Sequence, residues 1–317
     1  MNRNPSLDVI RIIATISVVV GHLFQHSVPI LLVPFTSYGG FGVALFFLLS
    51  GYLVTSSVVK NPNWKSFLTL RSFRILPAYF LAIGLYSGLK LFEGTSYTIR
   101  EMFMYLTLTG YLGGIEPTLA GVEWTLRIEV LFYSIAVFCL YIYQATDAKL
   151  KIRRSHSIVL LLSSQVLMGL LTPYFPLDQR PLTFGQCIIT GILIGLSDKY
   201  SIVWKYSILL VSLMIAEASM RLGIEHYDNI PFITMAVIFF LLLTPINLRL
   251  SPKLSTLVNF AANCTYAVYL YHNWALRDFL KRTSWPSVAI FVFLVLVSAT
   301  YILIEKPLNN VGKRVAT

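Results

Sequence analysis

Apolar stretches long enough to cross a bilayer recur from one end of this chain to the other, and that recurrence constrains its fold more than any single motif. Crossing about 30 Å of hydrocarbon takes roughly 20 helical residues. Ten segments qualify as candidates: Leu7 to Val28, Gly40 to Val59, Ile75 to Phe92, Trp124 to Tyr143, Ser157 to Phe175, Leu182 to Leu196, Ile202 to Leu222, Ile230 to Leu248, Asn263 to Leu280 and Ser287 to Ile304. With 56% hydrophobic and only 12% charged residues, 317 residues of this composition cannot cover their apolar surface in water. The expected fold is all-α: a polytopic membrane helix bundle forming one domain over residues 1–317, with no separate soluble domain and the lipid bilayer as its solvent. Near the N-terminus, Asp8 and Arg11 interrupt the first apolar run and no small-residue cleavage site follows, so this run reads as a retained span.

Positive charge sets the count and direction of the spans, because Lys and Arg accumulate in cytoplasmic loops. Ten spans with both termini cytoplasmic place seventeen Lys and Arg inside, among them Lys60, Lys65, Arg71, Arg74 and the group Lys149 to Arg154, against seven outside. An eleventh span over Met102 to Ile115, a short stretch rich in Thr, Tyr and Gly, would put the Lys149 to Arg154 group outside and destroy the asymmetry. The stretch from Glu93 to Glu123 therefore reads as an external re-entrant or surface segment. The net charge of +11 arises from this topology. Its basic residues form short groups between apolar runs and not one polar face, which argues against nucleic acid as a partner. Cys139, Cys187 and Cys264 lie in separate apolar segments without metal-site spacing, so neither a disulfide framework nor a metal is expected.

Ionisable side chains within spans are costly and are functional candidates by default. Arg11 and His22 are eleven residues apart, which on a helix brings them within about 20° of one face and about 16 Å apart along the axis. Thr15 lies between them, with Asp8 and His26 at the margins of the face. In the derived orientation Arg11 is near the cytoplasmic surface and His22 is deeper, toward the outside. Arg11 alone is as readily explained by snorkelling or by a pair with Asp8; the alignment of the two favours function.

Arg71 and Arg74, on one turn before Pro77, have the geometry of a phosphate clamp, although from these residues alone ordinary positive-inside bias is the simpler reading. Arg127 and Glu129 lie in the fourth span, after Glu123 and Trp124 and before Tyr133. Glu129 is placed either to orient a histidine or accept a sugar hydroxyl, or to pair with Arg127 or another helix. His272 ends the aromatic run Tyr266, Tyr269, Tyr271, and tyrosines at such positions are commonly interface anchors. Glu217 and Arg221 read as a local pair at i and i+4.

Taken in order, these segments resemble the acyltransferase 3 family of membrane-bound O-acyltransferases over nearly the whole chain. Leu7 to Arg11, with ten residues between Arg11 and His22, is similar to the family's Arg/His signature. Gly42 to Leu53 (GVALFFLLSGYL), Arg71 to Tyr79 (RSFRILPAY), Trp124 to Tyr133 (WTLRIEVLFY), Thr265 to His272 (TYAVYLYH) and Ile304 to Pro307 (IEKP) resemble five further blocks. Ala44 departs from the acidic residue that many members carry there, so any role of that carboxylate is absent or supplied elsewhere. No segment resembles the C-terminal extracytoplasmic hydrolase-like domain of some members.

The resemblance implies a multi-pass protein of the cell inner (plasma) membrane, with an acyl-CoA such as acetyl-CoA as cytoplasmic donor substrate and no resident cofactor. The acceptor is a hydroxyl, often on a carbohydrate or glycolipid, on the far side. On this reading Arg71 and Arg74 hold CoA phosphates, Arg11 guides the pantetheine arm, and His22 is the general base. Glu129 or His272 orients His22 or the acceptor, with Ser50, Trp124, Tyr133 and Glu305 as further substrate or orienting residues. Direct transfer and an acyl-enzyme on a nucleophilic His or Ser50 both remain open. The rival reading is a transporter or flippase for a lipid-linked sugar; against it stands the lack of an inverted repeat or of paired broken helices. A third is a non-catalytic scaffold whose charges hold helices together.

Overall fold

The computed structural model describes residues 4–24, 39–110, 114–115, 118–145, 154–174, 179–197, 201–223, 232–243, 246, 248 and 250–316. Its regular structure there is helical throughout, with no strand among the described residues. The principal helices are α1 (Pro5–Leu23), α2 (Gly40–Lys60), α3 (Trp64–Phe92), α4 (Ile99–Thr107), α5 (Trp124–Ala145), α6 (Arg154–Leu171), α7 (Arg180–Ser197), α8 (Ile202–Gly223), α9 (Phe232–Leu243) and α10 (Pro252–Tyr271). A π-helical turn (His272–Arg277) leads into the short α11 (Asp278–Arg282) and then α12 (Pro286–Ala299). A second π-turn (Thr300–Glu305) leads into α13 (Lys306–Val315).

Every segment expected to be a span contains a helix, but several boundaries move. Helix α1 starts at Pro5, where Asn4 caps it by accepting from the Ser6 amide at 3.0 Å. His26, expected at the margin of the Arg11–His22 face, lies outside the described residues. Helix α3 begins eleven residues before the apolar run suggested, because the Asn63 side chain accepts from the amides of Lys65 and Ser66 and starts the helix in a polar stretch. Arg71 and Arg74 therefore sit inside a helix rather than in a loop leading to one. Helix α4 spans nine residues, with a capping box between Thr98 and Glu101. At about 14 Å it is half the length a span requires.

Six helical stretches among the described residues are long and apolar enough to cross a membrane: Pro5–Leu23, Gly40–Lys60, Trp64–Phe92, Ser155–Tyr174, Arg180–Ser197 and Pro286–Val315. The three cysteines are free, two of them buried.

Close backbone approach builds the centre. A Cβ at Gly51 would lie 2.0 Å from the Ile188 carbonyl oxygen, and one at Gly191 would lie 2.1 Å from that of Leu48, so α2 and α7 touch backbone to backbone. Gly42 does the same against Ala14 of α1. Small residues permit such contacts where lipid supplies no hydrophobic drive between helices. Behind this stack Gln165 and Gln186 exchange amide-to-backbone hydrogen bonds at 3.2 and 3.0 Å, tying α6 to α7. The consequence for function is that α1 and α2 are held rigidly against α7, which fixes Arg11 and Ser50 on one side of the bundle.

Candidate active site

A cavity of about 90 Å³ opens between α1, α2, α3, α5 and α10. Arg11 lines it from α1, and Arg71 and Arg74 from one turn of α3. Ser50, Glu129 and Tyr133 line its middle, and Thr125, Tyr266 and Tyr269 line it farther along α5 and α10. Three guanidiniums thus converge on one space although Arg11 and Arg74 are 63 residues apart in the chain.

Helical periodicity explains the convergence. Glu129 and Tyr133 share a face of α5 at i and i+4. Glu129 Oε1 accepts from Ser50 Oγ at 2.8 Å and also from the Tyr133 hydroxyl. The Tyr133 oxygen in turn accepts from Arg71 at 3.3 Å. The Arg71 guanidinium lies against the rings of both Phe67 and Tyr133, 5.3 and 4.8 Å from their centroids. These contacts make a chain from α2 through α5 to α3. Arg11 forms the ion pair with Asp8 that the spacing suggested, at 3.4 Å, while still lining the cavity. Tyr266 donates to the Ile75 carbonyl at 3.0 Å, pinning α10 to α3 one residue beyond Arg74.

His22 is not among the residues lining this space; it lies at the opposite end of α1 from Arg11, against His272. Its Nδ1 is 2.8 Å from His272 Nε2, and the rings stack with centroids 5.0 Å apart and planes 14° from parallel. Tyr269 joins the two regions. Its ring lines the cavity and lies 5.6 Å from that of His272, while its hydroxyl is fixed by Thr125 at 2.6 Å and the Val122 carbonyl at 2.9 Å. Phe46 packs edge-on against Tyr269. Arg11 and His22, expected on one face of α1, thus serve two neighbouring places: Arg11 lines the cavity, and His22 lies beyond Tyr269 in the histidine pair.

The other candidates fall on the margins. Trp124 packs on Phe184, and the Arg180 guanidinium lies 5.2 Å from its ring. Glu305 is buried on the second π-turn with Arg74 as its electrostatic neighbour, and its Oε1 has no hydrogen-bond partner among the described residues. Among the described residues no cluster of His, Cys, Asp and Glu is arranged to hold a metal.

One of the pairings open to Glu129 is not made. Arg127 bonds Glu123, at 3.0 and 2.9 Å, and leaves Glu129 to the hydroxyls. Glu217 accepts from the backbone and hydroxyl of Thr234 on α9, at 2.8 and 2.6 Å, and the side chain of Arg221, its expected partner, lies outside what is described. The i, i+4 spacing of Glu123 and Arg127 was a signal for the first pair. Nothing local in the sequence identified Tyr269 as the junction, because its importance depends on two helices that meet it from elsewhere.

A family model for an acyltransferase domain, acyltransferase 3, matches residues 4–305. This chain belongs to the acyltransferase 3 family. It is therefore an acyltransferase, and the cavity with its arginines and hydroxyls is the candidate place for that chemistry. Among curated proteins it is 29% identical to an O-acetyl transferase of Shigella phage Sf6, over 75% of this chain and 78% of that one. It is 22% identical to the exopolysaccharide production protein ExoZ of Rhizobium meliloti, over 87% and 91%. A shorter match, 38% identical, joins it to nodulation protein 10 of Rhizobium leguminosarum bv. viciae, over 29% of this chain and 30% of that protein. The chain thus spans less than a third of the nodulation protein but most of the other two. No solved structure matches it.

Proposed function

We propose that the protein is a transmembrane O-acetyltransferase that moves acetyl from acetyl-CoA, bound at the cytoplasmic side, to a hydroxyl of a cell-envelope carbohydrate or glycolipid. The carrying observation is the convergence of Arg11, Arg71 and Arg74 on a cavity that runs past Ser50 and Glu129 to Tyr269, next to His22 and His272. The phage O-acetyl transferase and the exopolysaccharide protein support an acetyl group and a surface glycan.

In this reading the bundle has ten spans in the inner membrane with both termini cytoplasmic, so the arginine end of the cavity faces the CoA pool. Arg71 and Arg74 bind CoA phosphates, whose charge and fork geometry suit paired guanidiniums. Arg11, held by Asp8, guides the pantetheine arm. His22 is the general base that takes the proton of the attacking hydroxyl. Glu129, with only hydroxyl partners among the described residues, accepts a hydroxyl of the acceptor as the sugar enters, and Trp124 offers an apolar face for a sugar ring. In this reading the acceptor hydroxyl attacks the thioester directly, with Ser50 donating to Glu129 and holding that carboxylate in the cavity.

Purified protein in lipid, labelled acetyl-CoA and envelope glycans test this reading together. His22→Ala is expected to lower transfer by about 10²- to 10⁴-fold with unchanged donor binding. The double change Arg71→Ala and Arg74→Ala is expected to raise the acetyl-CoA KM with a smaller effect on kcat. Label that never becomes covalent on any glycan, with glycan or lipid-linked sugar moving across the bilayer instead, would establish the transporter reading.

A further inference from the structure

The histidine pair carries information about where its own hydrogens lie. His272, at the start of the π-turn, has its Nδ1 2.8 Å from the carbonyl oxygen of Tyr269, three residues earlier in α10. A carbonyl only accepts, so Nδ1 of His272 must hold a hydrogen. In a neutral ring the other nitrogen, Nε2, is then an acceptor. Its 2.8 Å contact with His22 Nδ1 is a hydrogen bond only if that atom also holds a hydrogen. The chain of deduction ends at His22 Nε2, which is left with a free lone pair.

A doubly protonated His272 would reverse the second bond. Its ring is fully buried, and no carboxylate bonds to it among the described residues. The charge acting on both histidines is Arg277, which repels a second cation and is itself paired with Asp278 at 3.0 Å. A cation in that position lacks the compensation that buried charge requires.

We propose that His272 is a positioning residue that holds His22 in the Nδ1–H tautomer, leaving Nε2 as the atom that accepts the hydroxyl proton. The inference rests on His22 being the base. In the step it serves, the acceptor O–H bond breaks and its proton goes to His22 Nε2. The oxygen forms a bond to the acyl carbon, the carbon–sulfur bond breaks, and the departing CoA thiolate takes that proton from Nε2. The Nδ1 hydrogen never leaves. Its bond to His272 Nε2 becomes charge-assisted while the imidazolium exists. The π-turn, a feature that recurs at functional sites, brings the His272 ring onto the Tyr269 carbonyl. The anchored Tyr269 hydroxyl fixes that carbonyl's residue in turn.

A packing role and a tautomer role make opposite demands on position 272. His272→Phe keeps a stacking ring but removes the acceptor; His272→Gln loses the ring but offers an amide oxygen where Nε2 was. The expected result is a fall in kcat of about 10²-fold or more for His272→Phe, with at least tenfold of it recovered by His272→Gln and both KM values nearly unchanged. If the phenylalanine variant retains activity and the glutamine variant loses it, the proposal is wrong. Nitrogen-15 NMR of histidine-labelled wild-type protein reads the tautomer without any variant: hydrogen on Nδ1 of both residues is expected, and hydrogen on Nε2 of His22 overturns the proposal. His22→Ala separates the two claims. Normal transfer by that variant removes the base itself, whereas an inactive His22→Ala beside a normal His272→Phe keeps the base and removes only its partner.

Discussion

Two glutamates less than two turns apart, Glu123 immediately before helix α5 and Glu129 within it, live in opposite circumstances. Glu123 is fully buried and saturated: Arg127 binds both oxygens, the Tyr79 hydroxyl donates at 3.1 Å and the Thr118 amide at 2.9 Å. Arg127 also donates to the Ile115 carbonyl at 2.7 Å. Glu129 is half-buried, touches no cation directly, and receives only the hydroxyls of Ser50 and Tyr133 on one oxygen while it lines the cavity. The first arrangement leaves nothing for a ligand to bind. The second holds a carboxylate in place and keeps an oxygen available. Charge inside a bundle is thus evidence of function only when its hydrogen bonds are incomplete.

The largest expected effect breaks the saturated site. Glu123→Ala leaves the Arg127 guanidinium buried without its counter-charge, which costs about 3–5 kcal/mol. Thermal unfolding in detergent should show a much lower midpoint and poor yield. The double variant Glu123→Leu, Arg127→Met should restore most of the loss, since exchanging a whole buried pair for apolar groups is often close to neutral. A double variant no better than the single one would mean that the pair has a role beyond holding α5 against α3.

The same contrast explains what was legible beforehand. Period and hydropathy located a helix in each of the ten expected spans, because burial in lipid writes a long apolar signal into segments such as α1, α2 and α7, but they did not mark the short helices α4 and α13. They misplaced the start of α3, whose first turns are polar and are begun by the side chain of Asn63, a local cap that hydropathy does not register. The site was legible residue by residue. Arg11, His22, Ser50, Arg71, Arg74, Glu129, Tyr133 and His272 were all marked as costly or motif-bearing, and all eight end in the cavity or in the histidine pair. Their grouping was not legible. That Glu129 meets Ser50 and Tyr133 rather than Arg127, and that His22 meets His272 from 250 positions away, depends on helix contacts such as Gly51 on Ile188, which no spacing within one segment encodes.

At the unsaturated site the expected effects fall on rate and leave the fold intact. Glu129→Gln keeps the shape and can still accept from Ser50, but loses the charge that strengthens both hydroxyl bonds and any bond from the acceptor. Charge-assisted hydrogen bonds of this kind contribute about 1.5–3 kcal/mol, so transfer should drop roughly tenfold to a hundredfold with an unfolding midpoint close to wild type. A midpoint that fell as far as that of Glu123→Ala would show that the two carboxylates do the same work and would end the distinction.

The smallest effect sharpens it. Tyr133 stands between the two kinds of site: its ring packs edge-on against Phe67 and carries the Arg71 guanidinium, while its hydroxyl links Arg71 to Glu129. Tyr133→Phe preserves the ring and the cation contact and deletes only the link. One hydrogen bond contributes about 0.5–1.5 kcal/mol, which corresponds to a change of about twofold to tenfold. If the link serves mainly to hold Arg71 toward CoA, the change should appear in the acetyl-CoA KM. If it serves mainly to hold the Glu129 carboxylate, the change should appear in kcat and in the acceptor KM, and Tyr133→Phe should add little to Glu129→Gln. The additivity of that double variant therefore reports which end of the hydroxyl matters, because two changes acting through one contact do not sum.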